Sequence, residues 1–190
     1  MKRLIDLALV LAAAPVAIIL VGIAALVVRL DSSGPALFHQ RRVGLGEQPF
    51  TLVKLRTMKI EMDDRPSHEA NRRHITRSGR LLRRLKIDEL PQLWNVLTGT
   101  MSLVGPRPCL SSQAELIAAR RAEGAFAVRP GITGPAQIAG VDMSTPDTLA
   151  AIDGDYARGH SFWGDIRLIA RTVVGGGRYD GVRSATDTDD

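Results

Sequence analysis

At 190 residues, 45% of them hydrophobic, the chain has room for one compact domain beyond an apolar leader and not for two separate cores. Its single cysteine, Cys109, excludes an internal disulfide and a thiolate metal cluster, which fits a reducing compartment. The formal charge of +5 favours an anionic partner: nucleic acid, an acidic lipid surface or a phosphorylated substrate.

Lys2 and Arg3 precede Leu7 to Val28, 22 residues without a charge. The run is too long for a signal peptide, and Val27-Val28-Arg29-Leu30 offers no small-residue cleavage site. As a helix it reaches about 33 Å, enough to span a bilayer core. Pro15 removes a backbone hydrogen bond and would split it into arms of about 12 Å and 20 Å, neither of which crosses alone. Basic residues flank both ends, against the bias for positive charge on one side. From the residues alone, a spanning helix and a re-entrant hairpin that dips into one leaflet both remain open. Residues 1–31 are thus read as the membrane segment, 32–174 as a cytoplasmic domain and 175–190 as a flexible tail.

Ser32 to Pro35 is a breaker cluster. Ala36 to Val43 and Phe50 to Leu55 alternate around a turn at Gly44 to Pro49, which predicts a β-hairpin. Glu61 to Asn71 is polar and reads as an exposed loop. From Ile75, Leu81, Leu82 and Leu85 share one side while Arg73, Arg77, Arg80 and Arg84 recur at three- and four-residue steps, the pattern of a basic amphipathic helix. Asp88 stands where the N-cap of a further helix would fall, with Pro91 in its first turn and Thr98-Gly99 closing it. Gly105 to Pro108 is a rigid turn. Ser111 or Ser112 is expected to cap a helix from Gln113 to Glu123, Arg129 to Pro135 to form a stiff loop, and Asp165 to cap a last amphipathic helix over 166–174, suited to a membrane interface or to the core.

The chemistry centres on Asp88 and Glu89. They follow Asn71 to Lys86, which holds seven Arg or Lys residues and no acid. An adjacent carboxylate pair can hold a divalent cation or attack phosphorus, while guanidinium groups neutralise phosphate oxygens. A plain helix cap explains an isolated Asp equally well, but capping and phosphate chemistry are compatible, since a helix N-terminus itself favours anions. The arginine run could be a solvated face; a nucleic-acid patch is disfavoured because no aromatic residue interleaves it to stack bases. His39, His68, His74 and His160 lack metal-ligand spacing. No GxxxxGK[ST], GxGxxG or GxSxG signature occurs.

Four ordered motifs then resemble the bacterial sugar transferases, more narrowly the small monotopic phosphoglycosyl transferases made of the catalytic core alone. They are Lys54-Leu55-Arg56-Thr57-Met58, Arg83 with Asp88-Glu89-Leu90-Pro91-Gln92-Leu93-Trp94-Asn95-Val96, Met101-Ser102-Leu103-Val104-Gly105-Pro106-Arg107-Pro108, and Arg129-Pro130-Gly131-Ile132-Thr133-Gly134. The resemblance implies an α+β monotopic membrane protein with a Pro-broken re-entrant helix, a β-hairpin and interfacial amphipathic helices on the cytoplasmic face of the bacterial inner membrane. It implies transfer of a sugar 1-phosphate from a UDP-sugar to polyprenyl phosphate, normally undecaprenyl phosphate, with release of UMP, as the first membrane step of glycoconjugate assembly. Asp88 would be the nucleophile that forms a covalent phosphosugar intermediate. Glu89 would assist the acceptor and, with Asp88, hold Mg²⁺. Arg83, Arg107 and Arg129 would bind phosphate or the uridine nucleotide, with Lys54 and Arg56 as further candidates. No nucleic-acid partner is expected. Ala14 stands where the family has the serine of its Ser-Pro break, and Gly134-Pro135-Ala136-Gln137 departs from the family loop in a region expected to shape sugar choice. The alternative of another class is a non-catalytic membrane-anchored scaffold whose basic helix holds anionic lipid or nucleic acid; UMP release separates the two.

Overall fold

The computed structural model describes residues 2–59 and 74–174. Lys2–Asp31 forms one helix, α1, helical through Pro15 and, by length and composition, able to cross a membrane. Its buried positions, Asp6, Val10, Ala17, Ala24 and Val28, follow the four- and seven-residue steps of a single stripe, so one face packs on the domain along the whole helix. The opposite face carries exposed Leu11, Ile18, Ile19, Ile23, Leu26 and Leu30.

Both ends of α1 are tied to the domain. At the start, Lys2 Nζ pairs with Asp165 at 2.5 Å, and Arg3 donates to the carbonyls of Val96 and, at 2.9 Å, Leu97. At the end, Asp31 Oδ2 accepts from the backbone N–H and hydroxyl of Ser78 at 2.9 and 2.8 Å, which lowers the Asp31 pKa. Asp31 thereby satisfies a free N–H in the first turn of the next helix, α2 (Arg77–Arg84), beside the cap from Thr76.

The expected hairpin is present: β1 (Leu37–Val43) pairs antiparallel with β2 (Pro49–Leu55). Its outer edge is closed by a side chain. Asn95 of α3 (Gln92–Thr98) donates to Thr51 O at 2.7 Å and accepts from Val53 N at 3.1 Å, bonding the strand as a neighbouring strand would. Val10, Phe50, Leu52, Val96 and Met101 fill the core between α1, the hairpin and α3, while Ala24, Val28, Leu55 and Leu82 fill that between α1, β2 and α2.

Arg129 to Pro135 contains a strand as well as a loop. β4 (Gly131–Thr133) pairs in parallel with β3 (Ser102–Val104). The two backbones approach closely just beyond the ladder: a Cβ on Gly131 would lie 2.1 Å from Gly105 N, and one on Gly105 would lie 2.3 Å from Arg129 O. Glycine is required at both positions by that contact.

The rest is helical. α4 (Ala114–Ala122) starts without the expected Ser111 or Ser112 cap; Gln113 precedes it, its Oε1 accepting from Leu110 N at 2.9 Å. After the short α5 (Pro135–Ala139) comes α6 (Pro146–Gly159), joined to α4 by a buried Arg120–Asp153 ion pair at 2.6 Å. α7 (Phe162–Val173) begins earlier than expected, and its cap is Ser161, which accepts from Gly164 N. Asp165 is not a cap: it points inward, bonded to Lys2 and Tyr156. The expected loop at Glu61 to Asn71 and the tail from Gly175 lie outside the described residues.

Candidate active site

The carboxylate pair sits in the reversal between α2 and α3. Lys86 takes a left-handed conformation (φ 56°, ψ 20°) and ends α2, a position that normally selects glycine. One turn of 3₁₀ helix over Ile87–Glu89 follows, with Ile87 packed against the Leu55–Leu82 cluster beneath it. The expected cap role of Asp88 is not observed. Pro91 occupies the residue before α3, no side chain caps that helix, and Asp88 lies back within the turn, only 8% exposed. A cap needs extended backbone directly before the first turn, whereas Asp88 lies in a 3₁₀ turn and Pro91, in helical conformation, precedes α3.

Three cations act on Asp88: Lys54 from β2, Arg83 from α2 and Arg107 from the Gly105–Pro108 turn. Burial, reinforced by the charge of Glu89, pushes Asp88 up to about 6, and those cations moderate the rise. Glu89 goes the other way. Burial would raise it, but Arg107, whose Nη2 lies 2.7 Å from Glu89 Oε1, with Lys54 and Lys86, holds it below its usual value. Lys54 is half-buried and is depressed to about 7 by burial and by the charges of Arg42 and Arg83, against the pull of Asp88. The site is an environment that splits two neighbouring carboxylates into an ionised partner and a titrating one.

Two expected ligands lie elsewhere. Arg56 is buried and donates to the carbonyls of Ser32, Ser33 and Gly34, tying down the chain after α1. Arg129 is exposed at the far end of α3, where its Nε donates to Gly99 O at 2.8 Å, next to Arg3. Both cations stabilise carbonyl-rich segment ends rather than face the carboxylates.

Other residues build the site from behind. Thr57 Oγ1 accepts from Arg83 Nε at 2.9 Å, and its carbonyl receives the Thr76 N–H, so α2 and Arg83 are set by one residue. A Cβ on Gly79 would lie 2.2 Å from Thr57 O, which shows how closely α2 rests there. Buried Arg42 donates to Pro108 O at 3.0 Å and to Gln40 Oε1, bracing the turn that carries Arg107. Thr57 stands inside a quoted motif, whereas nothing in the alternation of β1 marked Arg42.

No group of three His, Cys, Asp or Glu residues that could hold a metal occurs among the described residues. Two carboxylates with Glu89 already paired to Arg107 do not form a cage. They do fit Mg²⁺ held in the mode that uses one or two carboxylates and completes its shell with substrate phosphates and water.

Fold and site together define a class of protein: a small α+β domain with an N-terminal helix long and apolar enough to cross a membrane, carrying a buried Asp88 and a half-buried Glu89 among converging cations. The chain belongs to the bacterial sugar transferase family, whose model matches residues 1–176. It is 46% identical over 160 residues to a UDP-glucose:undecaprenyl-phosphate glucose-1-phosphate transferase of Caulobacter vibrioides, covering 80% of this chain and 60% of that protein. It is 43% identical over 175 residues to the uncharacterized sugar transferase EpsL of Bacillus subtilis, covering 91% and 85%. A UDP-N-acetylgalactosamine-undecaprenyl-phosphate N-acetylgalactosaminephosphotransferase of Aeromonas hydrophila is 36% identical over 182 residues, covering 90% and 42%. The chain thus spans less than two thirds of the length of these two relatives with named substrates.

Proposed function

We propose that the chain transfers a sugar 1-phosphate from a UDP-sugar to undecaprenyl phosphate and releases UMP, with Asp88 as a covalent nucleophile. The observation that carries this reading is the buried Asp88 held among Lys54, Arg83 and Arg107 while Glu89 stays ionised beside it. In the first step an Asp88 carboxylate oxygen bonds to the β-phosphorus of the donor. The bond from that phosphorus to the bridging oxygen breaks, and UMP leaves with the electron pair. In the second step a phosphate oxygen of the lipid attacks the same phosphorus, and Asp88 departs as carboxylate.

Repulsion between a carboxylate and two phosphates would be severe at this depth, and Arg83, Arg107 and Lys54 offset it. Glu89 and Asp88 would hold Mg²⁺ jointly with the donor diphosphate; bound there, the ion supplies further neutralisation of charge. Arg56 and Arg129 serve as positioning residues. The named relatives act on UDP-glucose or UDP-N-acetylgalactosamine, so a UDP-hexose is the donor class, with UDP-glucose first.

Both ends of α1 rest on the one domain, which supports a helix that meets the membrane from a single face, with the missing backbone N–H of Pro15 as the point where it would yield. That face is the cytoplasmic side of the inner membrane, where UDP-sugars are made.

The test is to incubate purified protein with UDP-glucose, UDP-N-acetylglucosamine and UDP-N-acetylgalactosamine without acceptor, and to look for a phosphosugar adduct on the Asp88 peptide by mass spectrometry. Stoichiometric UMP and the adduct are expected. UMP formed only with acceptor and no adduct would leave direct transfer, and no UMP under any condition would overturn the transferase reading.

A further inference from the structure

Asp6 is a buried acid, 5% exposed, on a helix face that is otherwise apolar or small at Val10, Ala17, Ala24 and Val28. A carboxylate in such a place is costly unless its oxygens are satisfied. Both are. Oδ2 accepts from Ser102 Oγ at 2.8 Å and Oδ1 from the backbone N–H of Leu103 at 3.3 Å.

These donors belong to β3, which has β4 on one side only. Ser102 N and Gly105 N bond toward that neighbour, to Pro130 O and Thr133 O, both at 2.9 Å. The Leu103 N–H points off the ladder, and Asp6 closes that open edge with one side chain. The single Tyr156 O–H donates to Asp165 Oδ1 at 2.8 Å, the carboxylate paired with Lys2, and shares that proton with Val104 O of the same strand at 3.1 Å. Burial keeps the Tyr156 phenol protonated, so it stays a donor.

β3 feeds directly into Gly105-Pro106-Arg107-Pro108. The prolines fix the backbone on either side of Arg107. Gly131 N bonds to Pro106 O at 2.9 Å and Arg42 to Pro108 O. Only Gly105 and Pro106 separate β3 from Arg107, and the close contact of Gly105 with the backbone at Arg129 and Gly131 leaves that glycine little room to move. From this we infer that Asp6 is a positioning residue for Arg107: by closing the edge of β3, the first turns of the membrane helix set where the guanidinium meets Glu89 and the donor phosphates. This inference rests on the transferase reading for its kinetic consequence, while the Asp6–β3 contact stands apart from it.

The test uses the full chain in nanodiscs and follows UMP release from UDP-glucose with undecaprenyl phosphate. Asp6→Ala should lower kcat/KM by about tenfold to a hundredfold, the order expected for a small misplacement of a catalytic group. Asp6→Asn, whose amide oxygen can accept from Leu103 and whose amide can donate to Ser102 Oγ, should stay within about threefold of wild type. In an Arg107→Ala background, Asp6→Ala should cost little more, because residues acting through one another are not additive. Fully additive losses, or an Asn variant as impaired as the Ala variant, would overturn the inference. Hydrogen exchange on the same proteins needs no turnover: Asp6→Ala should speed exchange at Leu103 and at Gly105 and Arg107, and Ser102→Ala, a milder change, should do so to a smaller extent. Unchanged exchange in both variants would overturn the contact itself. Absent UMP release by wild type, with exchange altered as expected, would count against the transferase reading alone.

Discussion

Arg107 Nη2 lies 2.7 Å from Glu89 Oε1, and this one bond makes two adjacent carboxylates chemically different. Glu89 is kept ionised by it, while Asp88, one residue away, is left to bear the cost of burial. Removing the guanidinium should damage more than one function at once. Arg107→Ala is expected to slow UMP release by roughly 10²–10³-fold, the usual loss for one charge-stabilising donor. Because the Arg107 side chain is 42% exposed, the stability lost should be modest, about 1–2 kcal/mol. Arg107→Lys keeps a point charge without the planar fork and should recover only part of the rate. Initial rates of UMP release with a thermal melt check this; a Lys variant at full rate would show that the fork geometry is irrelevant.

Asp88 should be a site where activity opposes stability. Its pKa is raised by burial to about 6, above the ordinary carboxylate value of 3.8. A carboxyl group raised on folding contributes stability that is fully present below its unfolded pKa and is lost as pH rises through the folded one. The contribution of Asp88 should accordingly be lost between about pH 4 and 6 as it ionises, by about 2–3 kcal/mol at the outside, and is read as the difference between wild type and Asp88→Asn across that range. The nucleophile must be ionised, so kcat/KM should climb over the same interval with a limb near pH 6. Asp88→Asn should abolish UMP release and melt at a higher temperature than wild type at pH 7.5. A lower melting temperature for that variant would mean that the ionised carboxylate is net stabilising there.

The hairpin, the basic helix α2 and the glycine that closes α3 were legible in the sequence because each has a local cause: alternation, three- and four-residue spacing, and a left-handed residue at Gly99. The carboxylate pair and Arg83, Arg107 and Lys54 were legible as residue types in ordered motifs. The direction of a guanidinium was not, and this is why Arg56 and Arg129 were expected at the site and are found on carbonyls elsewhere. β3 and β4 are three residues each, too short for any alternation to register. α6 buries Asp153 and Gly154 among Leu149, Ala150 and Tyr156, which dilutes the apolar stripe; Pro146 and Asp147 in its first turn were the usable signal. Asp before a helical pattern is compatible with a cap as well as with phosphate chemistry, and nothing local separates the two; the left-handed Lys86 and the 3₁₀ turn after it have no sequence signal of their own.

Lys54 should report the arrival of substrate. Burial and the neighbouring cations Arg42 and Arg83 bring it to about 7, so at pH 8 the free protein holds it mostly neutral. A diphosphate bound among the same cations reverses the sign of the field and raises its affinity for a proton. Donor binding at pH 8 should therefore take up a fraction of a proton. Calorimetry with UDP-glucose in buffers of different ionisation enthalpy measures that uptake, and Lys54→Met should remove it. Equal uptake in the Met variant would assign the proton to another group.

The ties at the two ends of α1 bear on how the helix would meet a bilayer. Thirty residues of helix extend about 45 Å, longer than a hydrocarbon core of about 30 Å. Were the helix to span, Lys2 and Asp31 would lie on opposite sides of the membrane. Yet Lys2 pairs with Asp165 and Asp31 with Ser78, both in the same domain. A single-sided topology keeps both contacts; a spanning one must break one set. In a Cys109→Ser background, a cysteine added ahead of Met1 and, separately, Ser33→Cys should both react with a membrane-impermeant maleimide in inside-out vesicles. Neither should react in right-side-out vesicles. Labelling of the two positions from opposite faces would show that the helix crosses and that its contacts to Asp165 or Ser78 do not form in the membrane.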